Sequence, residues 1–235
     1  MNLLLENNQI GRRRIGRVVG FGAVVAGLWA LYFAWRPPAP LLGLARLTHL
    51  PDAPEVALTF DDAPHPLTTP LLLAALKRAN AHATFFVVGD GLRLYPELAW
   101  RIVSSGNRLG NHSQYHNNLT RLSPAEFDHE VATCFAAIAR EKQQTNLFRP
   151  PGGGLDRDVM DYLYRRGATL AWWSHNPGDW ARPPAWKIAS QVEARLRAGD
   201  IILLHDAGTG TPQALLSIAK AAKQRGYKLV PMPEN

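Results

Sequence analysis

Cysteine is almost absent from this 235-residue sequence, which contains Cys134 alone. A single thiol cannot close an intramolecular disulfide, so no disulfide framework is available. The apolar neighbours Val131, Phe135 and Ile138 indicate that Cys134 is packed on a helix and is not a nucleophile. Stability must therefore come from a hydrophobic core, which the 46% hydrophobic composition can supply.

Excess charge is also scarce over most of the chain, although the formal net charge is +7. Residues 1–49 hold six arginines against one glutamate, a net charge of +5. Residues 50–235 hold 20 basic against 18 acidic side chains, which leaves +2. The globular part therefore lacks the basic surface typical of nucleic-acid binding, and we expect no nucleic-acid partner.

Charge is missing altogether from residues 18–35, a stretch of 18 residues that also lacks proline. As a helix it would span about 27 Å, close to the hydrocarbon thickness of a bilayer. The arginines before it predict a cytoplasmic N-terminus and a domain on the opposite side. We therefore predict a basic cytoplasmic segment over residues 1–17, a single-pass transmembrane signal-anchor over 18–35 and a linker over 36–53.

A cleaved signal peptide is the alternative for this region, because a basic start and an apolar stretch fit both. Cleavage would give a secreted protein. However, the stretch is long for a signal peptide, and the RPPAP sequence that follows is a poor small-x-small cleavage site. We expect an uncleaved anchor in the cell membrane and an extracytoplasmic domain.

The rest of the chain alternates apolar runs with helical patterns, which predicts a parallel sheet with helices between its strands. A glycine-rich phosphate fingerprint is missing after the first strand, which disfavours a nucleotide-binding doubly wound sheet. The domain has about 180 residues, whereas a complete eightfold barrel needs about 250. A shortened, irregular barrel is favoured over the open sheet. The predicted strands are 55–60, 83–88, 107–111, 146–149, 169–174, 200–205 and 227–230, and the predicted helices are 69–80, 96–105, 124–142, 157–166, 186–197 and 212–225.

Unusual polar side chains cluster at the carboxyl ends of the predicted strands. An isolated Asp-Asp pair before Pro-His-Pro, as at residues 61–66, is typical of a solvated turn. Here, five strand ends carry such residues, and in parallel α/β barrels this rim holds the active site. The residues are Asp61, Asp62, His112, His116, Arg149, Asp179, Trp180, His205 and Asp206.

The pair His112 and His116 has a spacing that suits a metal. On a helix or a tight turn, two residues four apart point the same way. With one carboxylate from another strand end, two histidines leave a fourth position for water, as in catalytic divalent sites. Because adjacent residues at a strand end face opposite ways, one aspartate would bind the metal and its neighbour would stay free as a base.

Five motifs in this order, TFDDAPHP, HSQYH, RPPGGG, NPGDW and IILLHD, resemble the polysaccharide deacetylases with a NodB homology domain, the family 4 carbohydrate esterases (CE4). The resemblance covers about residues 54–231 and implies a deacetylase domain over 54–235. The fold expected from it is a distorted, shortened (β/α) barrel with about seven parallel strands, preceded by the transmembrane helix.

The resemblance also implies a role for each rim residue. Asp61 would be the general base, held by Arg149, and His205 would be the general acid, tuned by Asp179. The backbone N–H of Gly152 would stabilise the oxyanion, and Trp180 would line the substrate groove. Asp62, His112 and His116 would bind a divalent metal, commonly zinc. Independently of the resemblance, we expect Asp206 to orient either His205 or the local backbone.

The function implied is metal-dependent hydrolysis of N-acetyl groups on N-acetylhexosamine-containing cell-envelope or exopolysaccharide glycans. We expect the protein to be a monomer. Three alternatives stay open: deacylation of a lipid-linked sugar, hydrolysis of O-acetyl esters on a polysaccharide, and a non-catalytic carbohydrate-binding relative.

The sequence departs from the family pattern at Ala63, where a glycine is usual, at Gly152, where an aromatic residue is common, and at Asn117, which replaces a frequent proline. Glycine at the first position can supply a positive φ that alanine disfavours. The loop after the two aspartates is therefore where a different geometry is expected.

Overall fold

The computed structural model describes residues 46–50 and 54–233. The predicted cytoplasmic segment, the transmembrane anchor and most of the linker lie outside these residues. Among the described residues, no helix combines the length and apolarity needed to cross a membrane. The anchor therefore stays a prediction from the sequence.

The described residues form one sheet of eight strands, all of them parallel to their neighbours. Its order is β1-β6-β5-β4-β3-β2-β7, and β8 pairs with the start of β2. Beyond β6, His175 forms a parallel bridge with Ile202, so the sheet curves back on itself as a partial barrel. The strands are β1 (Arg46–Leu47), β2 (Glu55–Ala63), β3 (Thr84–Val87), β4 (Arg108–Asn111), β5 (Leu147–Phe148), β6 (Thr169–Ala171), β7 (Ile201–His205) and β8 (Lys228–Val230).

Seven α-helices among the described residues connect these strands. They are α1 (Thr69–Ala79), α2 (Gly89–Leu94), α3 (Pro96–Ser104), α4 (Pro124–Arg140), α5 (Arg157–Arg165), α6 (Ala185–Glu193) and α7 (Thr211–Gln224). The start of α4 is fixed locally, because Ser123 and Glu126 form a reciprocal capping box before the first turn.

The predicted parallel α/β fold is confirmed, and each of the seven predicted strands is present. One strand and one α-helix were not predicted. Strand β1 has two residues and pairs with β6, so it is too short to show a pattern. Helix α2 begins Gly-Asp-Gly, a poor helix-forming sequence.

Strand β2 passes through the centre of the fold and is buried on both faces, as expected for a parallel strand covered by helices. Val56, Leu58 and Phe60 pack into the core cluster that also contains residues of α1 and α7. The alternate residues Thr59 and Asp61 point to the other face, into the barrel. The strand therefore delivers Asp61 to the carboxyl edge from the interior face.

A β-bulge interrupts β2 at the two aspartates. Phe60 pairs with Phe85 and Ala63 pairs with Val87, so Asp61 and Asp62 together oppose one residue of β3. Asp62 adopts a left-handed backbone with φ of 65°, as is common at bulges that redirect a side chain. Ala63 is buried in the strand, and its φ is not positive. The left-handed residue is Asp62, so Ala63 needs no positive φ here. The expected difference from the family's loop geometry stays a prediction.

Candidate active site

Arg149 fixes Asp61 inside the barrel. Its side chain is fully buried at the end of β5, and Nη1 lies 2.7 Å from Asp61 Oδ1 and 2.8 Å from Thr59 Oγ1. Its other nitrogens donate to the carbonyl oxygens of Ala171 and Trp172, each at 3.1 Å. A buried guanidinium needs this many partners to offset its lost hydration. The result is an Asp61 carboxylate held in one orientation.

Asp62, His112 and His116 come together as the candidate metal site, with one ligand atom from each lying within 4.8 Å of the others. Asp62 Oδ1 is 3.5 Å from Nε2 of His112 and 3.0 Å from Nε2 of His116. Asp61 Oδ2 is 3.7 Å from the same Nε2 of His112. The expectation that the two aspartates point opposite ways is therefore wrong: the bulge turns both carboxylates towards His112.

The chemistry of these donors fits a divalent cation. His112 Nδ1 lies 2.8 Å from the carbonyl oxygen of Arg149, so Nδ1 carries the proton and Nε2 keeps a lone pair. Asp62 Oδ1 is buried, and it faces the Nε2 atoms of both histidines. Two nitrogen donors and a carboxylate oxygen form a set that zinc prefers, with room for a further ligand.

The ionisation of Asp62 and His116 is mutually supported. Burial would raise the pKa of Asp62, but its interactions with His112 and His116 outweigh burial and hold that pKa well below its usual range. In turn, the contact with Asp62 raises the pKa of His116 above its ordinary value. Asp62 is thus a carboxylate, the form that binds a cation.

The loop that carries the two histidines is not helical, and its backbone is strained. Ser113 and His116 both have positive φ, at 66° and 60°, which costs non-glycine residues on the order of 1–3 kcal/mol each. Side chains inside the loop support these turns. The N–H of Ser113 donates to Asn111 Oδ1, and the N–H of His116 donates to Ser113 Oγ.

His205 and Asp179 form the second pair of the site. His205 Nδ1 lies 2.8 Å from Asp179 Oδ1, and Asp179 Oδ2 accepts from the N–H of His205 and from Thr211 Oγ1. Burial would lower the pKa of His205, but Asp179, with smaller contributions from Asp61 and Asp62, raises it above its ordinary value. His205 is therefore biased towards the protonated form.

Gly152 and Trp180 lie in exposed turns after β5 and β6. Gly152 has φ of 59°, and a Cβ built on it would meet nothing within 4 Å. Trp180 follows Asp179 directly, and 65% of its surface is exposed. Open space at Gly152 and an exposed indole are compatible with a groove, while the oxyanion and substrate roles of these residues stay predictions.

Asp206 serves the local backbone. Its carboxylate accepts from Thr69 Oγ1 and from the N–H of His65, 3.1 Å away, and burial raises its pKa to about 6. Asp206 therefore stabilises the loop between β2 and α1 by hydrogen bonds.

Three supporting residues were missed from the sequence: Thr59, Thr211 and Glu130. Thr59 lies two residues before Asp61, on the same face of β2, and this spacing was a usable signal. Glu130 lies on the buried face of α4 between Phe127 and Cys134, and a carboxylate there was a second signal. For Thr211, the first residue of α7, the sequence offered no comparable signal.

Comparisons with known proteins identify the family of this chain. The family model for polysaccharide deacetylases matches residues 50–171. The chitooligosaccharide deacetylase of Bradyrhizobium sp. (strain ANU 289) is 36% identical over 195 residues, covering 76% of this chain and 89% of the relative. The chain belongs to the polysaccharide deacetylase family. The expected family and the expected enzyme class, a hydrolase of carbon–nitrogen bonds other than peptide bonds, are confirmed.

Solved structures give the same family. The crystal structure of a peptidoglycan N-acetylglucosamine deacetylase superposes with a TM-score of 0.78 at 28% identity, covering 81% of this chain and 92% of that one. A wild-type CE4-family pseudoenzyme from Bacillus anthracis superposes with a TM-score of 0.76 at 27% identity, covering 81% and 68%. The family fold is thus found in both active and inactive proteins.

Proposed function

We propose that this protein is a metal-dependent hydrolase that removes N-acetyl groups from N-acetylhexosamine units of cell-envelope or exopolysaccharide glycans. One observation carries the proposal: the cluster of Asp62, His112 and His116 lies beside an Asp61 that Arg149 holds in place. Zinc is the ion that this donor set suits best.

The residues divide the reaction between them. A bound divalent ion would supply a Lewis acid that polarises the amide carbonyl and acidifies water. Asp61 accepts a proton from the attacking water, and the hydrogen bond from Arg149 fixes the orientation of the Asp61 carboxylate. The N–H of Gly152 donates to the developing oxyanion. His205, held by Asp179, gives its proton to the leaving amine. Water and the amide thus become acetate and a free amino sugar.

The substrate class is supported by the relatives. One is named for chitooligosaccharides and one for the N-acetylglucosamine of peptidoglycan. An exposed Trp180 beside the site offers the flat apolar face on which a sugar ring can stack. We therefore propose an acetylated polysaccharide as the substrate.

The location of the domain is a proposal from the sequence. The uncharged stretch over residues 18–35 and the arginines before it support a single-pass anchor with the catalytic domain outside the cytoplasm. Full-length protein found in the soluble fraction after cell lysis would contradict this topology.

A non-catalytic carbohydrate-binding role is the main competitor, because one structural relative is a pseudoenzyme. The residues argue against it. Asp61 and His205, the proposed base and acid, are both present, and each is held by a buried charged partner.

Acetate release decides between these functions. Full-length protein, extracted in detergent and loaded with zinc, is incubated with N-acetylglucosamine oligomers, peptidoglycan and O-acetylated xylan, with and without a chelator. We expect acetate from the first two substrates, and we expect the chelator to abolish it. Release from xylan alone would indicate an O-acetyl esterase. The enzyme proposal fails if the zinc-loaded protein releases no acetate from any acetylated glycan.

A further inference from the structure

Glu130 joins helix α4 to the loop that carries both histidine ligands. Its side chain lies near the middle of α4 and is only 2% exposed. Oε2 accepts from the N–H groups of Gln114 and Tyr115, both at 2.8 Å, and Oε1 accepts from Asn117 Nδ2 at 2.6 Å. Within the described part of the chain, all hydrogen bonds of this carboxylate therefore go to residues 112–117, which we call the ligand loop.

Helix α2 also binds the ligand loop. The N–H of Gly89 donates to the carbonyl oxygen of Ser113 at 3.0 Å, and the N–H of Asp90 donates to that of Gln114 at 2.9 Å. The side chain of Gln114 also fills the space where a Cβ of residue 89 would stand. The peptide groups between the two histidines are thus hydrogen-bonded to both α2 and α4.

The shape of the ligand loop explains why a carboxylate is needed. Directly after the left-handed Ser113, the N–H groups of residues 114 and 115 both point to Glu130 on α4. A buried N–H needs an acceptor, and an ionised carboxylate can accept several strong hydrogen bonds at once. Burying a carboxylate is itself unfavourable unless hydrogen bonds compensate for its lost hydration, and Glu130 accepts three.

We propose that Glu130 is a positioning residue of the metal site, which sets the angle between His112 and His116 and thereby the affinity for the metal. This inference rests on the proposed function, because the metal belongs to it. Partners that orient metal ligands from behind typically change affinity by about 10–100-fold when removed. The competing explanation is that Glu130 stabilises the fold in general.

Two variants of the full-length protein separate these explanations. Glu130→Leu keeps the approximate volume and removes both acceptors, so we expect zinc affinity to fall about 10–100-fold. Glu130→Gln keeps one oxygen for the two N–H groups, and its NH₂ can donate to Asn117 once that amide turns over. Neutral hydrogen bonds are weaker than charged ones, so we expect some loss of zinc affinity in this variant. The loss should be less than about fivefold, because the hydrogen bonds themselves are kept.

The measurements are zinc affinity, by competition with a chelating dye, and the thermal midpoint of the metal-free protein. Ile138→Ala is the matched control, because Ile138 is buried on the same helix and belongs to the main core cluster. It should lower the thermal midpoint and leave zinc affinity unchanged. If Glu130→Leu does not fold, Glu130→Asp replaces it, with a shorter side chain and an expected loss of about tenfold in affinity.

Wild-type affinity in Glu130→Leu, or in Glu130→Asp where that variant is used, would overturn the proposal. The proposal would also be overturned if Ile138→Ala lowered zinc affinity together with the thermal midpoint, because general destabilisation would then explain the loss of affinity. A wild-type protein that binds zinc but releases no acetate would remove the proposed deacetylase function and leave the positioning role standing. A wild-type protein that binds no zinc would remove both.

Discussion

Asp61 and His205 are paired in register on the neighbouring parallel strands β2 and β7. Each is held by a buried partner from a distant part of the chain. Asp61 Oδ1 lies 2.7 Å from Nη1 of Arg149, and His205 Nδ1 lies 2.8 Å from Oδ1 of Asp179. The proposed proton acceptor and proton donor therefore stand on adjacent strands, each oriented by an opposite charge.

Replacing Asp61 should separate catalysis from metal binding. Asp61→Asn keeps the shape of the side chain and removes its proton-accepting ability, so acetate release should fall by about 10²–10⁴-fold. Zinc stoichiometry should stay the same, because the three proposed ligands are Asp62, His112 and His116. Acetate assays and metal analysis of the same preparation test this. A variant as active as wild type would show that Asp61 is not the base.

Removing Arg149 should destabilise the fold as well as the site. Arg149→Leu leaves the buried Asp61 carboxylate without its cation, and breaking a buried pair costs about 3–5 kcal/mol. Urea denaturation measures the change in unfolding free energy. The control is Arg101→Leu on the exposed side of α3, which should leave the midpoint unchanged. Equal midpoints for both variants would contradict the buried pairing.

The pH profile should depend on the charge of Asp179. Because Asp179 raises the pKa of His205, the proposed acid stays protonated to higher pH than an ordinary histidine, and activity is lost as pH rises through this raised value. Asp179→Asn removes the charge, so the alkaline limb of kcat/KM should move to lower pH. Thr211→Val removes one hydrogen bond to Asp179 but keeps the charge. Its alkaline limb should therefore stay close to that of wild type.

A larger side chain should be tolerated at Gly152. Gly152→Tyr has open space for its Cβ, and its positive φ should cost on the order of 1 kcal/mol or slightly more. The ring would add a wall next to the site, so KM for N-acetylglucosamine oligomers should fall. Gly153→Tyr is the contrasting variant, since its Cβ would lie 3.3 Å from Trp173. Gly153→Tyr should therefore lower the unfolding free energy more than Gly152→Tyr does. A larger loss of stability in Gly152→Tyr would contradict the geometry.

The rim residues could be found from the sequence because each follows a recognisable strand. The apolar runs that end at Asp61 and His205 are long enough to be recognised in the sequence itself, and parallel strands bring their carboxyl ends to one edge. Helix α2 was missed because its two glycines have low helix propensity. The helix is stabilised instead by hydrogen bonds to Ser113 and Gln114, which are distant in the sequence.

The aspartate pair shows where sequence reasoning failed. Strand alternation predicted that Asp61 and Asp62 point apart. The bulge opposite β3 and the left-handed backbone of Asp62 bring both towards His112. A bulge depends on the register between two strands, so it cannot be read from one strand alone.

The sequence by itself determined the order of strands and helices, the residues at the strand ends and the membership of the family, because these depend on local pattern and residue type. Only the tertiary structure decided which of these residues touch. The pairing of Arg149 with Asp61 joins residues 88 positions apart, and the grip of Glu130 on the ligand loop depends on how α4 packs beside β4. Such contacts follow from register and packing, which many distant residues set together.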